Sequence, residues 1–207
     1  CKAIDSSKDQ SYFLYQLSSQ ILESVEFPLG DILKKDIRKI AQENNLINAT
    51  KKDSTGICFI GDRKYNNFVS QFLKSNKGKI ITVDGDEIGN HNGHMYFTVG
   101  QRKGLGIGAR KSAFDQPWYV VNKDIDNNIV YVAQGSDHPA LFSDELIADN
   151  MYWNLDIQKN IPFKCNAKVR YRDIDHPCSI LSSKEGQCYI KFDHKIKAIT
   201  SGQSIVL

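Results

Sequence analysis

Between residues 10 and 25, Phe13, Leu14, Leu17, Ile21 and Leu22 recur at the spacing of one helical face. Asp9 or Ser7 stands where an N-cap belongs. The pattern predicts a helix over 10–25, ended by Pro28 and Gly30, and a second over 34–44. In the second, Ile37, Ile40 and Ala41 face inward and Asn44-Asn45 is the stop. Two helices and a loop cannot bury a core of their own. Residues 1–66 therefore read as the end of a domain whose larger part lies upstream.

From residue 67 the period shortens. Phe68, Phe72 and Leu73 suggest a short helix, and 79–83 alternates as a strand that Asp84-Gly85 turns into a hairpin. Further strands are predicted over 95–99, 118–122 and 129–133, with a tight turn at Asn127-Asn128. From 139 onward the runs 163–171, 178–181, 188–192 and 204–207 are short, β-prone and separated by turn residues. That spacing predicts a small barrel or sandwich. The fold class is α+β, divided as 1–66, 67–138 and 139–207.

Composition adds limits. Of 207 residues 41% are hydrophobic and 25% charged, the values of an ordinary globular chain. No apolar run approaches the ~20 residues that span a bilayer, and the polar start from Lys2 to Gln10 is unlike a signal peptide. A chain starting at Cys1 reads as a fragment or a trimmed chain. A net charge of +3 does not announce a nucleic-acid binder, although a local patch still can. The five cysteines are widely spaced with no C-x-x-C pair, which argues against a zinc site or a disulfide framework and for a reducing cytoplasm. Cys165, Cys178 and Cys188 read as packing residues, the histidines as surface or turn residues, and Asp84, Asp86 and Glu87 as a solvated hairpin. No metal site is predicted.

Candidate chemistry centres on Lys51-Lys52-Asp53-Ser54-Thr55-Gly56-Ile57-Cys58-Phe59-Ile60-Gly61-Asp62-Arg63. A free thiol with a pKa of about 8.5 is mostly protonated at neutral pH, and neighbouring cations raise its thiolate fraction. Lys51, Lys52 and Arg63 supply such charge, and Gly56 permits a sharp turn that presents Cys58. The alternative is a small core residue between Ile57 and Phe59. Composition leaves the two open. The loop 100–108 lacks both the G-K-[ST] ending of a P-loop and the spacing of a dinucleotide fingerprint, so it is read as a turn between strands or as an RNA-backbone contact, and not as an ATP site. Arg170-Tyr171-Arg172, at the end of a predicted strand, places both arginines on one face and Tyr171 on the other.

The cysteine stretch resembles the second catalytic cysteine motif of the tRNA-uridine 2-sulfurtransferases, the tRNA-specific 2-thiouridylases. Further stretches resemble other motifs of that family, in its order: Ser7-Lys8-Asp9-Gln10-Ser11-Tyr12-Phe13-Leu14, Gly78-Lys79-Ile80-Ile81-Thr82-Val83-Asp84-Gly85, Gly100-Gln101-Arg102-Lys103-Gly104-Leu105-Gly106-Ile107-Gly108, Pro117-Trp118-Tyr119-Val120-Val121, Arg170-Tyr171-Arg172 and Gly202-Gln203-Ser204. Together these motifs span essentially the whole chain.

The resemblance implies a helical remnant of an α/β nucleotide-binding domain, a small β-rich central domain and a C-terminal β-barrel, incomplete at its end because the family's final strands are absent after Leu207, which would leave an open edge. It implies sulfur insertion at C2 of the wobble uridine of tRNA. In that scheme ATP adenylates the C2 oxygen and Cys58 carries the sulfur as a persulfide. An upstream cysteine helps release it, and the two cysteines can end as a disulfide. Positions matching Lys8, Asp9, Gln10, Arg170, Tyr171 and Gln203 touch tRNA. The sulfur comes from a cysteine desulfurase or a persulfide-carrying relay protein, and the enzyme is cytoplasmic and monomeric. The family's S-G-G-x-D-S loop and upstream cysteine do not occur in these residues, so ATP with Mg2+ belongs to a missing N-terminal domain. The fragment alone is expected to be inactive. Two other classes remain: a stand-alone tRNA-binding module with a structural Cys58, and a methyltransferase. No glycine-rich turn opening a βαβ unit supports the latter.

Overall fold

The computed structural model describes residues 2–53, 68–73, 76–107, 116–154, 160–184 and 186–207. Cys58 and most of its motif lie outside the described residues, so its exposure is not assigned. The chain forms two compact units. The first comprises Cys1–Thr55, Ile147–Lys191 and Ser204–Leu207; the second comprises Gly56–Leu146 and Phe192–Gln203.

In the first unit the predicted helix over 10–25 is two pieces. A 3₁₀ turn, Ser11–Leu14, is followed by helix α1, Ser19–Glu23. Ser18 separates them: its backbone is extended at φ −67° and ψ 154°, and its hydroxyl accepts from the Ile21 amide. A serine that can cap a new helix competes with continuing the old one. Helix α2, Lys34–Glu43, agrees with expectation and ends at Asn44, followed by Asn45 at φ 52°. Its expected inner face is not buried. Ile40 is exposed and Ile37 and Ala41 are only half covered.

The second unit contains a four-stranded sheet in the order β2-β1-β4-β3. Strands β1 (Gly78–Thr82) and β2 (Glu87–His91) form the expected hairpin, with Gly85 at φ 97° in its turn. Strands β3 (Trp118–Asp124) and β4 (Ile129–Gln134) form a second, turned by Asn128 at φ 53°. A parallel ladder joins β1 to β4, from Lys79↔Ile129 to Thr82↔Val132. Ile80, Ile88, Phe97, Leu105, Val120, Val130 and Val132 pack as its core.

Two expectations fail here. Residues 95–99 are not a strand: His94–Tyr96 is a 3₁₀ turn, closed by the Tyr96 and Phe97 amides donating to the Gly93 and His94 carbonyls, and Phe97 turns into the core. His91 is not a surface histidine. It ends β2 buried, its ring edge-on to Phe97 at 5.3 Å and its Nδ1 accepting from the Gly93 amide.

A second four-stranded sheet runs β5-β8-β7-β6. Its strands are β5 (Phe142–Asp149), β6 (Phe163–Ala167), β7 (His176–Lys184) and β8 (Gln187–Lys197). Alternate residues of β7 (His176, Cys178, Ile180) and β8 (Cys188, Ile190, Phe192) are buried, the period of a sheet with one covered face. The few helices and two sheets among the described residues make the chain α+β, with β-rich central and C-terminal parts. No helix among the described residues is long and apolar enough to cross a membrane.

Candidate functional site

The first unit brings two of the sequence-marked segments together. The Lys8-Asp9-Gln10 triplet leads directly into the Ser11–Leu14 turn. Asp9 secures that entry, accepting from the Ala3 amide at 3.2 Å, the Ser11 amide at 3.2 Å and the Ser11 hydroxyl at 2.9 Å. Partial burial pushes its carboxyl up, but these donors and the charge of Lys168 outweigh that and hold it below the usual range. The local role of Asp9 is therefore a turn anchor. Gln10 is exposed at the mouth of the turn, its carbonyl accepting from the Phe13 amide.

The turn presents Tyr12 and Phe13 to the connection after β6. Phe13 lies 4.5 Å from Tyr171, ring centre to ring centre, and Tyr12 lies 6.1 Å from it. Tyr12 and Phe13 meet edge-on at 5.4 Å. Tyr12 is buried and donates its hydroxyl to the Ser204 carbonyl at 2.7 Å, while the Ser204 hydroxyl donates to the Tyr15 oxygen at 2.6 Å. Phe13 remains 55% exposed, so one aromatic face of the cluster is open to solvent. Sequence reasoning missed these rings by reading Phe13 as core. The run Tyr12-Phe13-Leu14-Tyr15, with three aromatics in four residues, was the available signal.

The reading of Arg170 to Arg172 as an alternating strand is corrected. Strand β6 ends at Ala167, because Lys168 is diverted into a two-hydrogen-bond bridge with Val206. Arg170, Tyr171 and Arg172 lie instead in the bend that follows, where the Asp173 amide donates to the Arg170 carbonyl. The Arg172 guanidinium sits 5.8 Å from the centre of the Tyr171 ring, within cation–π range. Tyr171 thus carries Phe13 and an arginine as neighbours. Gln203, in the second unit, is exposed in a turn after Gly202 at φ 83°, its amide donating to the Thr200 carbonyl.

Lys8 has a second setting. Its ammonium pairs with Asp53 at 2.9 Å, and the same carboxylate takes Arg38 at 3.0 Å and Lys34 at 3.9 Å. Hydrogen bonds from Lys8 and then Arg38 hold the Asp53 carboxyl below its usual range. The group is half exposed, so each pair contributes little to stability. What the arrangement does is gather three cations about one anion within the cysteine motif itself, at its last described residue.

The described part of the glycine loop is held by its own contacts. Gly100 donates to the Val120 carbonyl, Gln101 bonds the Thr98 amide and the Lys103 carbonyl, and Leu105 is buried in the core. No group of three or more potential metal ligands occurs among the described residues.

Comparison with known proteins gives these observations a family. Residues 1–62 match the family model described as a tRNA methyl transferase HUP domain, 66–134 a tRNA methyl transferase PRC-barrel domain, and 143–207 an aminomethyltransferase beta-barrel domain. The chain is 50% identical over 205 residues to the tRNA-specific 2-thiouridylase MnmA of Klebsiella pneumoniae subsp. pneumoniae, covering 99% of this chain and 56% of that protein. The MnmA proteins of Shigella boydii serotype 4 and Escherichia coli O139:H28 match at the same identity and coverage. The chain spans about half the length of these curated relatives. It belongs to the tRNA-specific 2-thiouridylase family.

Proposed function

We propose that the protein carrying this chain transfers sulfur to C2 of the wobble uridine of tRNA, with Cys58 holding the sulfur as a persulfide. The observation that carries the reading is 50% identity across 99% of the chain to proteins named tRNA-specific 2-thiouridylase. The geometry is consistent with the binding half of the task. An exposed Phe13 ring, Tyr171 and Arg172 form a stacking surface of the kind that takes unpaired bases. Arg170 and Lys8 supply charge for phosphates, Asp9 fixes the turn that presents Gln10, and Gln203 offers an amide to a base edge or phosphate.

Cys58 would accept a sulfane sulfur from a cysteine desulfurase or a relay protein. The outer sulfur would displace AMP from the adenylated C2, and the upstream cysteine would break the S–S bond to free the thiouridine and end as a disulfide with Cys58. ATP with Mg2+ binds outside the described residues, and the 207 residues alone neither adenylate nor thiolate. The division 1–66, 67–138 and 139–207 is proposed as catalytic remnant, central and C-terminal domains, which the family-model boundaries support. The working protein is a cytoplasmic monomer.

The test is persulfide loading of the full-length protein by a desulfurase and cysteine, located by mass spectrometry. Sulfur on Cys58, lost together with tRNA thiolation in Cys58→Ser, supports the reading. A Cys58→Ser protein that still thiolates tRNA overturns it and leaves an RNA-binding module with a structural cysteine. The family models' printed names favour one further reading, a methyltransferase. Calorimetric titration with S-adenosylmethionine tests it, and absence of binding disposes of it.

A further inference from the structure

Cys165 on β6 and Cys178 on β7 are direct partners across an antiparallel ladder, with their sulfurs 3.6 Å apart. Facing residues in such a ladder have Cα atoms about 4.5–5.5 Å apart, inside the range a disulfide spans. Bonding therefore asks only that the sulfurs close by roughly 1.5 Å, to about 2.05 Å. Rotation of two side chains on a fixed backbone can supply that.

The pair is chemically asymmetric. Cys178 is buried at 2% exposure, whereas Cys165 is half covered and reachable. The hydrogen bond from Cys178 pulls the Cys165 thiol below its ordinary pKa against the opposing effect of burial. Cys188, the other described cysteine, is fully buried on β8, and burial pushes its thiol up. One sulfur is thus placed to react first, a second to resolve it, and a third is kept inert.

We infer that Cys165 and Cys178 form a reversible disulfide when the protein meets a hydroperoxide. In the first step the Cys165 thiolate attacks the terminal peroxide oxygen. An S–O bond forms, the O–O bond breaks, and the alcohol or water leaves with a proton. In the second, the Cys178 sulfur attacks the Cys165 sulfenic sulfur, the S–S bond forms and water leaves. The two thiols together lose two electrons and two protons, and the peroxide gains them. A dithiol returns both by exchange. The bond would close a ring across a separation of 13 residues, holding the connection that carries Arg170, Tyr171 and Arg172. The inference rests on the ladder geometry alone and not on the tRNA reading.

The experiment treats the protein with hydrogen peroxide, alkylates remaining thiols and digests with trypsin without reductant. Lys168, Arg170 and Arg172 lie between the two cysteines, so a disulfide appears as two peptides joined in one mass. The expected result is a 165–178 linked pair that dithiothreitol separates. Cys165→Ser should show no linkage, and Cys178→Ala should stop at a sulfenic acid on Cys165 that dimedone traps. The proposal is overturned if both wild-type cysteines remain alkylatable. It is equally overturned if Cys165 proceeds to sulfinic acid without linkage, or joins Cys58 or Cys188 instead. The wild-type peptide map decides the matter even if the buried Cys178 site tolerates no substitution.

Discussion

Replacing Gly78 with alanine isolates one packing decision in the central sheet. Gly78 opens β1 opposite His91. A Cβ there would lie well inside contact distance of the Asn128 carbonyl oxygen and 2.6 Å from His91 Cε1. The carbonyl is backbone, so relief requires moving the β3–β4 turn. Asn128 ties that turn down by donating to the Asn76 and Lys77 carbonyls at 3.2 and 3.0 Å and holding the His94 ring at 3.1 Å. Losing two hydrogen bonds costs about 2 kcal/mol, and overpacking adds roughly 1–3 kcal/mol. The stiffer unfolded chain returns about 0.5–1 kcal/mol. The net expected loss is about 3 kcal/mol. Urea unfolding followed by Trp118 fluorescence, in a Trp153→Phe background, should show the midpoint fall by about 1–2 M at ordinary slopes. Gly89→Ala is the control, since its Cβ meets only Ile80 and Ile107 side chains at 3.8 and 4.0 Å. Its expected change is a gain of about 0.5–1 kcal/mol, the unfolded-chain contribution alone. A Gly78→Ala protein as stable as the Gly89→Ala protein would refute the reasoning.

Tyr12→Phe removes the hydroxyl that reaches the Ser204 carbonyl and should cost about 1–2 kcal/mol in denaturant unfolding, with the ring contacts kept. Phe13→Ala and Tyr171→Ala should each weaken binding of an unpaired RNA segment by about 1–3 kcal/mol in fluorescence titrations. Arg170→Ala should lower the slope of log K against log salt by about 1 and weaken all sequences alike. Burial depresses the pKa of His91, with the nearby His94 acting the same way, so the proton binds the unfolded chain better. The stability of the second unit should therefore be complete above the ordinary histidine range and fall as pH drops below it. His91→Gln should flatten that fall in melts between about pH 7 and 5.

What could be read from the chain was what neighbours in sequence decide. The end of α2 at Asn44, the Asp84-Gly85 hairpin and the Asn127-Asn128 turn all rest on local backbone preference, and they occur where expected. The parallel ladder between β1 and β4 joins residues some fifty apart, and no local period announces it. Strand β5 escaped because only Ala148 of its residues is buried, so its alternation is weak. The end of β6 was misjudged because Lys168 pairs with Val206, a partner at the far end of the chain. At the site, Asp9 was expected as a cap from its chemistry; its carboxylate does take the Ser11 amide, but the cap position falls on Gln10, which makes no side-chain cap bond. The meeting of Phe13 with Tyr171 was not legible, because it joins two segments that no sequence pattern relates.

That meeting has a temporal side. Tyr12 and its hydrogen-bond acceptor Ser204 are 192 residues apart. At about 5–20 residues per second, a ribosome needs roughly 10–40 s to supply the second partner after the first. Tyr171 arrives only slightly sooner. Through that interval the nascent chain carries Tyr12, Phe13 and Tyr15 with none of the groups that later cover or bind them, a period in which a holding chaperone has something to grip. Rings made well before Ser204 are thus among the last groups of this chain to find their places, and the 3₁₀ turn that displays them is finished only when the Ser204 segment docks.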